Sequence, residues 1–125
     1  MQKEIENGII KIMEKTLQTE DLAWNKHATC EGVFLKHLVK GESTGGKFSC
    51  HLVRVQSGCE ISQHIHADNW ELHEVIAGTG KGFMQDKEIP YSVGNMIVIP
   101  QGLNHRVVAG DEDIYMIAKF IPALV

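Results

Sequence analysis

At 125 residues the chain is long enough for one domain with a real core and too short for two ordinary ones. Its 43% hydrophobic and 22% charged residues exclude disorder, and a net charge of -4, with lysines and arginines scattered among acids, leaves no basic face for a nucleic-acid backbone. No apolar run approaches bilayer length, and the N-terminal MQKEIENGIIKIMEK interleaves acids and lysines where a secretory signal needs an unbroken apolar segment, so a cytoplasmic protein with no nucleic-acid or membrane partner is expected.

In residues 2 to 18, Ile5, Ile9, Ile12, Met13 and Leu17 recur at three- and four-residue spacing with charges between them, the pattern of an amphipathic helix. Residues 1–20 are therefore expected to form a helical segment packed on the domain or on a partner subunit, and 21–125 the domain itself. From Gly32 the rhythm changes to short β-type runs: GVFLKHLV, KFSCHLVRVQ, EISQHIH, ELHEVIAG, KGFMQ, NMIVIP, HRVVAG and DIYMIAKFI. Turn-forming pieces such as GESTGG, GTG, QDKE, VGN and GDED separate them. Short strands at near-regular spacing, with no helices between them, predict an all-β antiparallel barrel or sandwich. Cys30, Cys50 and Cys59 are odd in number and lack C-x-x-C spacing, which reads as reduced thiols.

Two stretches carry chemistry. In GCEISQHIHADNWELHEVIAG, His64 and His66 are two residues apart, and in a strand such residues face one side, roughly 6.6 to 7 Å apart, so both imidazoles can converge on one ion. Glu71 follows after enough chain to turn and enter the next strand. In GNMIVIPQGLNH an apolar strand ends in the turn Pro100-Gln101-Gly102, and His105 begins the returning strand, where it can complete a site on neighbouring strands.

These residues resemble both motifs of the cupin family. Gly58, His64-x-His66, Glu71 and Gly78 fill every fixed position of the first motif, and Gly94, Pro100-x-Gly102 and His105 those of the second; only the asparagine often found four residues after the second-motif histidine is replaced, by Ala109. The resemblance implies a six- to eight-stranded conical jelly-roll β-barrel (a double-stranded β-helix), commonly dimeric. It also implies one divalent transition metal, drawn from Fe, Mn, Ni, Co, Zn or Cu, held by His64, His66, Glu71 and His105.

Strand parity places His73 on the same side as Glu71, where it can orient a ligand, act as a general acid or base, or simply fill barrel volume; Glu74 should face outward. His51 and Arg54 have opposite parity, so only one of them can line the interior; an inward Arg54 would suit a substrate carboxylate. Phe83, Met84, Met96, Ile97 and Ile99 read as barrel wall or core. Trp70 either covers the pocket mouth or packs on a loop, and His27 and His37 receive no role.

Three imidazoles and a carboxylate can close a tetrahedral zinc shell, or leave two positions open on an ion that prefers six ligands. The open arrangement predicts a metal-dependent enzyme of dioxygenase, decarboxylase, isomerase or lyase type, acting on a small oxygenated metabolite. The alternatives are a module that binds a sugar or other metabolite without turnover, and a storage protein with a closed site.

Overall fold

The computed structural model describes residues 1–125 and is built almost wholly of antiparallel strands. Eight of them coincide with the eight β-type runs of the sequence: β4 (Val33–Val39), β5 (Ser49–Val55), β6 (Glu60–His64), β7 (Trp70–Ala77), β8 (Thr79–Met84), β10 (Met96–Ile99), β11 (His105–Ala109) and β12 (Ile114–Ile121). The short β3 (Asn25–Lys26) and the unexpected β9 (Lys87–Ser92) bring the barrel to a six-stranded sheet, β10-β7-β12-β5-β4-β3, facing a four-stranded one, β6-β11-β8-β9. The barrel is therefore larger than the six to eight strands expected. In β9 the run KEIPYS contains Pro90, which would break a central ladder but is tolerated because β9 lies at a sheet edge.

The expected N-terminal helix is present but covers only the start of residues 2–18. A single helical turn, α1 (Gln2–Glu6), gives way at Gly8 to a hairpin of β1 (Ile9–Ile12) and β2 (Lys15–Gln18), with Ile10 opposite Leu17. Two residues of the supposed helical stripe are outside, Ile9 at 60% and Met13 at 90% exposure, and Met13 occupies the hairpin turn at a φ of 54°. The segment IIKIMEKTL satisfies a helical and an alternating pattern about equally. Its β-branched Ile9, Ile10, Ile12 and Thr16 favour the strand, and packing decides the outcome. Ile5 and Ile10 lie against Leu38, Leu52 and Ile117 on the outer surface of the six-stranded sheet, so this segment covers the β4-β5-β12 part of that face.

The main core fills the space between the sheets, with Val33, Val53, Val55, Val75, Ile97, Ile99, Val107, Ile114 and Met116 all buried. Along β7, Glu71, His73 and Val75 point in while Leu72 and Glu74 point out, and Glu74 pairs with Lys119 at 2.6 Å on the outer face. The chain crosses from one sheet to the other between β7 and β8 through the single residue Gly78. Its φ of +81° suits glycine, and a Cβ there would meet the Asp113 carbonyl oxygen at 1.9 Å. Met96, read as wall or core, is instead 70% exposed on the outer face of β10, whereas Ile97 and Ile99 point in. Trp70 is also on the outer face, 48% exposed and paired with Ile121, away from the barrel interior. The three cysteines are free thiols. No helix is long and apolar enough to cross a membrane.

Candidate metal centre

Both sheets contribute to one cluster. From the four-stranded sheet come His64 at the end of β6 and His105 at the start of β11, directly opposite each other in the ladder. From the six-stranded sheet comes Glu71 on β7. His66 lies just beyond β6 rather than within it, yet stays beside His64, with ring centroids 4.8 Å apart. Its position is held by the second motif: the Gly102 N–H donates to the His66 carbonyl at 3.0 Å, and the Gln101 amide to that of Ala67 at 2.9 Å. One ligand atom from each of His64, His66, Glu71 and His105 lies within 4.8 Å of the other three, so the cluster can hold a metal ion.

The unpaired atoms test that fit. Glu71 Oε1 and His105 Nε2 are both buried and have no hydrogen-bond partner, although they face each other at 3.2 Å. Leaving such groups unsatisfied costs about 1–3 kcal/mol apiece, and more for a carboxylate, a cost that a shared cation removes. The histidine rings are also set for it. His64 Nδ1 donates to the Ser62 carbonyl at 2.7 Å and His105 Nδ1 to that of Leu103 at 3.0 Å, which leaves each neutral ring with a bare lone pair on Nε2. The donor set fits one transition ion.

Protonation states agree with this arrangement at His64, His66 and Glu71, whereas at His105 an ion would have to displace a proton that the site favours. Burial pushes the imidazolium values of His64 and His66 down, so both are neutral ligands at pH 7. For Glu71, burial alone would raise the value, but His73 and His105 outweigh it and hold the carboxyl well below the usual carboxylate range. His105 is lifted: burial opposes its charge, yet the Glu71 carboxylate and the Leu103 carbonyl prevail.

His73, 1% exposed, is inside the barrel and bridges the sheets. Its Nε2–H donates to Glu71 Oε2 at 2.7 Å, and its Nδ1 accepts from the Tyr91 hydroxyl at 2.8 Å. Tyr91 was not legible as part of the site, since KEIPYS did not read as a strand. It reaches His73 across β8 because position 82 is glycine: a Cβ there would sit 2.3 Å from the Tyr91 ring.

Arg54 is not in the site. His51, with no exposure, takes the inward position on β5, so Arg54 emerges on the outer face and pairs with Asp113 at 2.8 Å. The cavity beside the cluster has a volume of about 80 Å³, and its wall includes Val33, Leu35, Val53, Met116, Ala118 and Phe120 but no lysine or arginine. His27 also lines it, a residue to which spacing gave no role.

A family model described as "Cupin domain" matches residues 51–119. The fold is similar to a predicted oxalate decarboxylase from Thermotoga maritima (TM-score 0.75, 19% identity, covering 82% of this chain and 95% of that one). It is similar as well to the polyketide cyclase RemF from Streptomyces resistomycificus (TM-score 0.75, 17% identity, 87% and 80%). A third likeness is to ectoine synthase from P. lautus (TM-score 0.71, 18% identity, 91% and 75%). A search of curated protein sequences gives no significant match.

Proposed function

The chain belongs to the cupin family, and from that premise we propose that it is a mononuclear metal-dependent enzyme acting on a small oxygenated organic molecule. One observation carries the reading: two buried, unpartnered ligand atoms, Glu71 Oε1 and His105 Nε2, sit beside an apolar cavity. A stabilising ion would need no such cavity. His64, His66, Glu71 and His105 would hold one divalent transition ion, which would act as a Lewis acid on chelating oxygens and, if redox-active, admit oxidative chemistry.

The chain's own residues do the rest. His64 and His66 stay neutral, Glu71 supplies the one negative charge, and the apolar walls exclude water from the reacting end of the ligand. His73 keeps a proton on Nε2 against Glu71 Oε2, which leaves Oε1 for the ion. Tyr91 fixes the His73 tautomer, so Tyr91→Phe is expected to weaken metal affinity by about tenfold, within the range for outer partners of metal ligands, in a chelator-competition titration. Unchanged affinity would remove Tyr91 from the site.

The structural neighbours named for decarboxylation, cyclisation and ectoine synthesis share only the fold and do not choose a reaction. The cavity narrows the choice: with Arg54 outside, a dianion such as oxalate finds no guanidinium there. Fe(II)-loaded protein is expected to turn over one or more members of a panel of small diketones, keto acids and phenols, followed by oxygen uptake and product analysis. No turnover, together with saturable binding of a sugar, would make it a binding module instead.

A homodimer is part of the same proposal. It is supported by Met96, Val98, Trp70 and Ile121, each at least 48% exposed on the outer face of the six-stranded sheet, and by the unpaired edge of β10. Light scattering after size exclusion should give twice the chain mass for the wild type and the single mass for Val98→Lys. A wild-type monomer at micromolar concentration would dispose of the dimer.

A further inference from the structure

We infer that His27 is a ligand-binding residue of the metal cavity, a fixed N–H donor for an oxygen of the bound molecule. This rests on the metal-site reading above. His27 begins the loop HATCEG between β3 and β4, and it lines the same cavity as His64, His66 and Glu71. Its Nδ1 accepts two backbone hydrogen bonds from its own loop, from the Thr29 N–H at 3.1 Å and the Cys30 N–H at 3.0 Å. A nitrogen that accepts from two N–H groups carries no proton, so the neutral ring has its hydrogen on Nε2. That Nε2–H has no partner in the protein, and it belongs to a residue that lines the cavity.

The loop that carries the ring is firmly held. The His27 backbone N–H donates to the Val33 carbonyl at 2.8 Å, and the buried Cys30 thiol accepts from the Ser62 N–H at 3.4 Å, on the same strand as His64. A donor fixed in place before the ligand arrives loses little entropy on binding.

The rest of the wall defines the ligand class. Apart from the cluster residues, His27 and His73 the lining is apolar, without a lysine or arginine, and His73 is already committed to Glu71 and Tyr91. The volume of about 80 Å³ is about half the roughly 150 Å³ that accommodates benzene. The ligand that fits is a compact oxygen chelator, neutral or singly charged, with a short apolar body and an acceptor oxygen turned towards His27.

Two measurements test this. In metal-free protein, long-range ¹H–¹⁵N NMR should show His27 as the Nε2–H tautomer at neutral pH; an Nδ1–H tautomer overturns the proposal. In Co(II)-loaded protein, acetohydroxamate binding is followed through the visible cobalt bands. His27→Asn keeps an acceptor for the loop N–H groups but has no donor at the Nε2 position, and should weaken the probe by about fivefold, the weight of one hydrogen bond, with cobalt affinity unchanged. His27→Gln, whose amide N–H can reach that position, should recover part of the loss. Equal probe affinity in His27→Asn, or a metal-loaded wild type that leaves millimolar acetohydroxamate unbound, overturns the His27 role alone. A wild type that takes up no cobalt overturns the metal reading and this role with it.

Discussion

His105→Ala is expected to purify with almost no divalent metal, where the wild type carries about one ion per chain. The loss should exceed the 10- to 100-fold that changes in outer partners cause, because His105 supplies a ligand atom directly. Its Nε2 is buried, free of other partners, and 3.2 Å from Glu71 Oε1. Removing it also leaves Glu71 as a buried carboxylate with His73 at 2.7 Å and the more distant His66 at 3.8 Å as its remaining partners, so the variant should be destabilised even before metal is added. With His105 protonated, as its raised value favours in the absence of metal, the 3.2 Å approach to Glu71 is an ion pair, and breaking a buried charge pair costs roughly 3–5 kcal/mol. His64→Ala provides the contrast. His64 is less buried and its ring makes no ion pair, so this variant should lose the metal with a much smaller fall in melting temperature. Elemental analysis and thermal melts on the three proteins separate the effects. A His105→Ala protein that kept its ion would refute the four-residue site.

The cluster was readable in the sequence because turn glycines and prolines bracket it, and a strand has only two faces. Alternation placed Glu71 and His73 inside and Glu74 outside, and the structure has them so. Alternation also said that one of His51 and Arg54 must face in, but not which, since a shift of one residue inverts every position. The core resolved it: Ser49, His51, Val53 and Val55 face inward together, and the guanidinium goes to Asp113. Tyr91 and His27 lay beyond local pattern. One sits after a proline in an edge strand, and the other is aimed by a loop whose geometry depends on hydrogen bonds to Val33 and Ser62. The N-terminal hairpin departs from the helical pattern for a related reason: its apolar spacing suits two periods, and only the face it covers chooses between them.

Acid should destabilise the metal-free protein well before its carboxylates titrate. His51 is fully buried between Ser49 Oγ, 2.9 Å from its Nε2, and His37, whose Nδ1 is 2.8 Å from its own, and burial followed by the neighbouring His37 pushes its value down to about 4. A histidine lowered in the fold takes up its proton in the unfolded chain first. Stability is therefore complete above about pH 6.5 and falls as pH drops towards 4, by up to about 3 kcal/mol from His51 alone. His37, His64 and His66 are lowered too and act in the same direction. His105 is raised and opposes them, contributing stability at low pH that fades as pH rises through its folded value. Glu71, held far down, contributes stability that is lost only below the ordinary carboxylate range and so lies outside this window. Urea denaturation between pH 4.5 and 7 should show the fall, and the His51 ring should titrate near 4 by NMR. Titration near 6.5 would mean that the His37–His51–Ser49 chain opens to water. Ser49 Oγ also accepts from the Leu124 N–H at 2.9 Å, and Leu124 lines the cavity, so strain in this chain would reach the cavity wall. His51→Gln, which removes that one titration, should shrink the fall in stability between pH 7 and 4.5, and the slope that remains belongs to His37, His64 and His66.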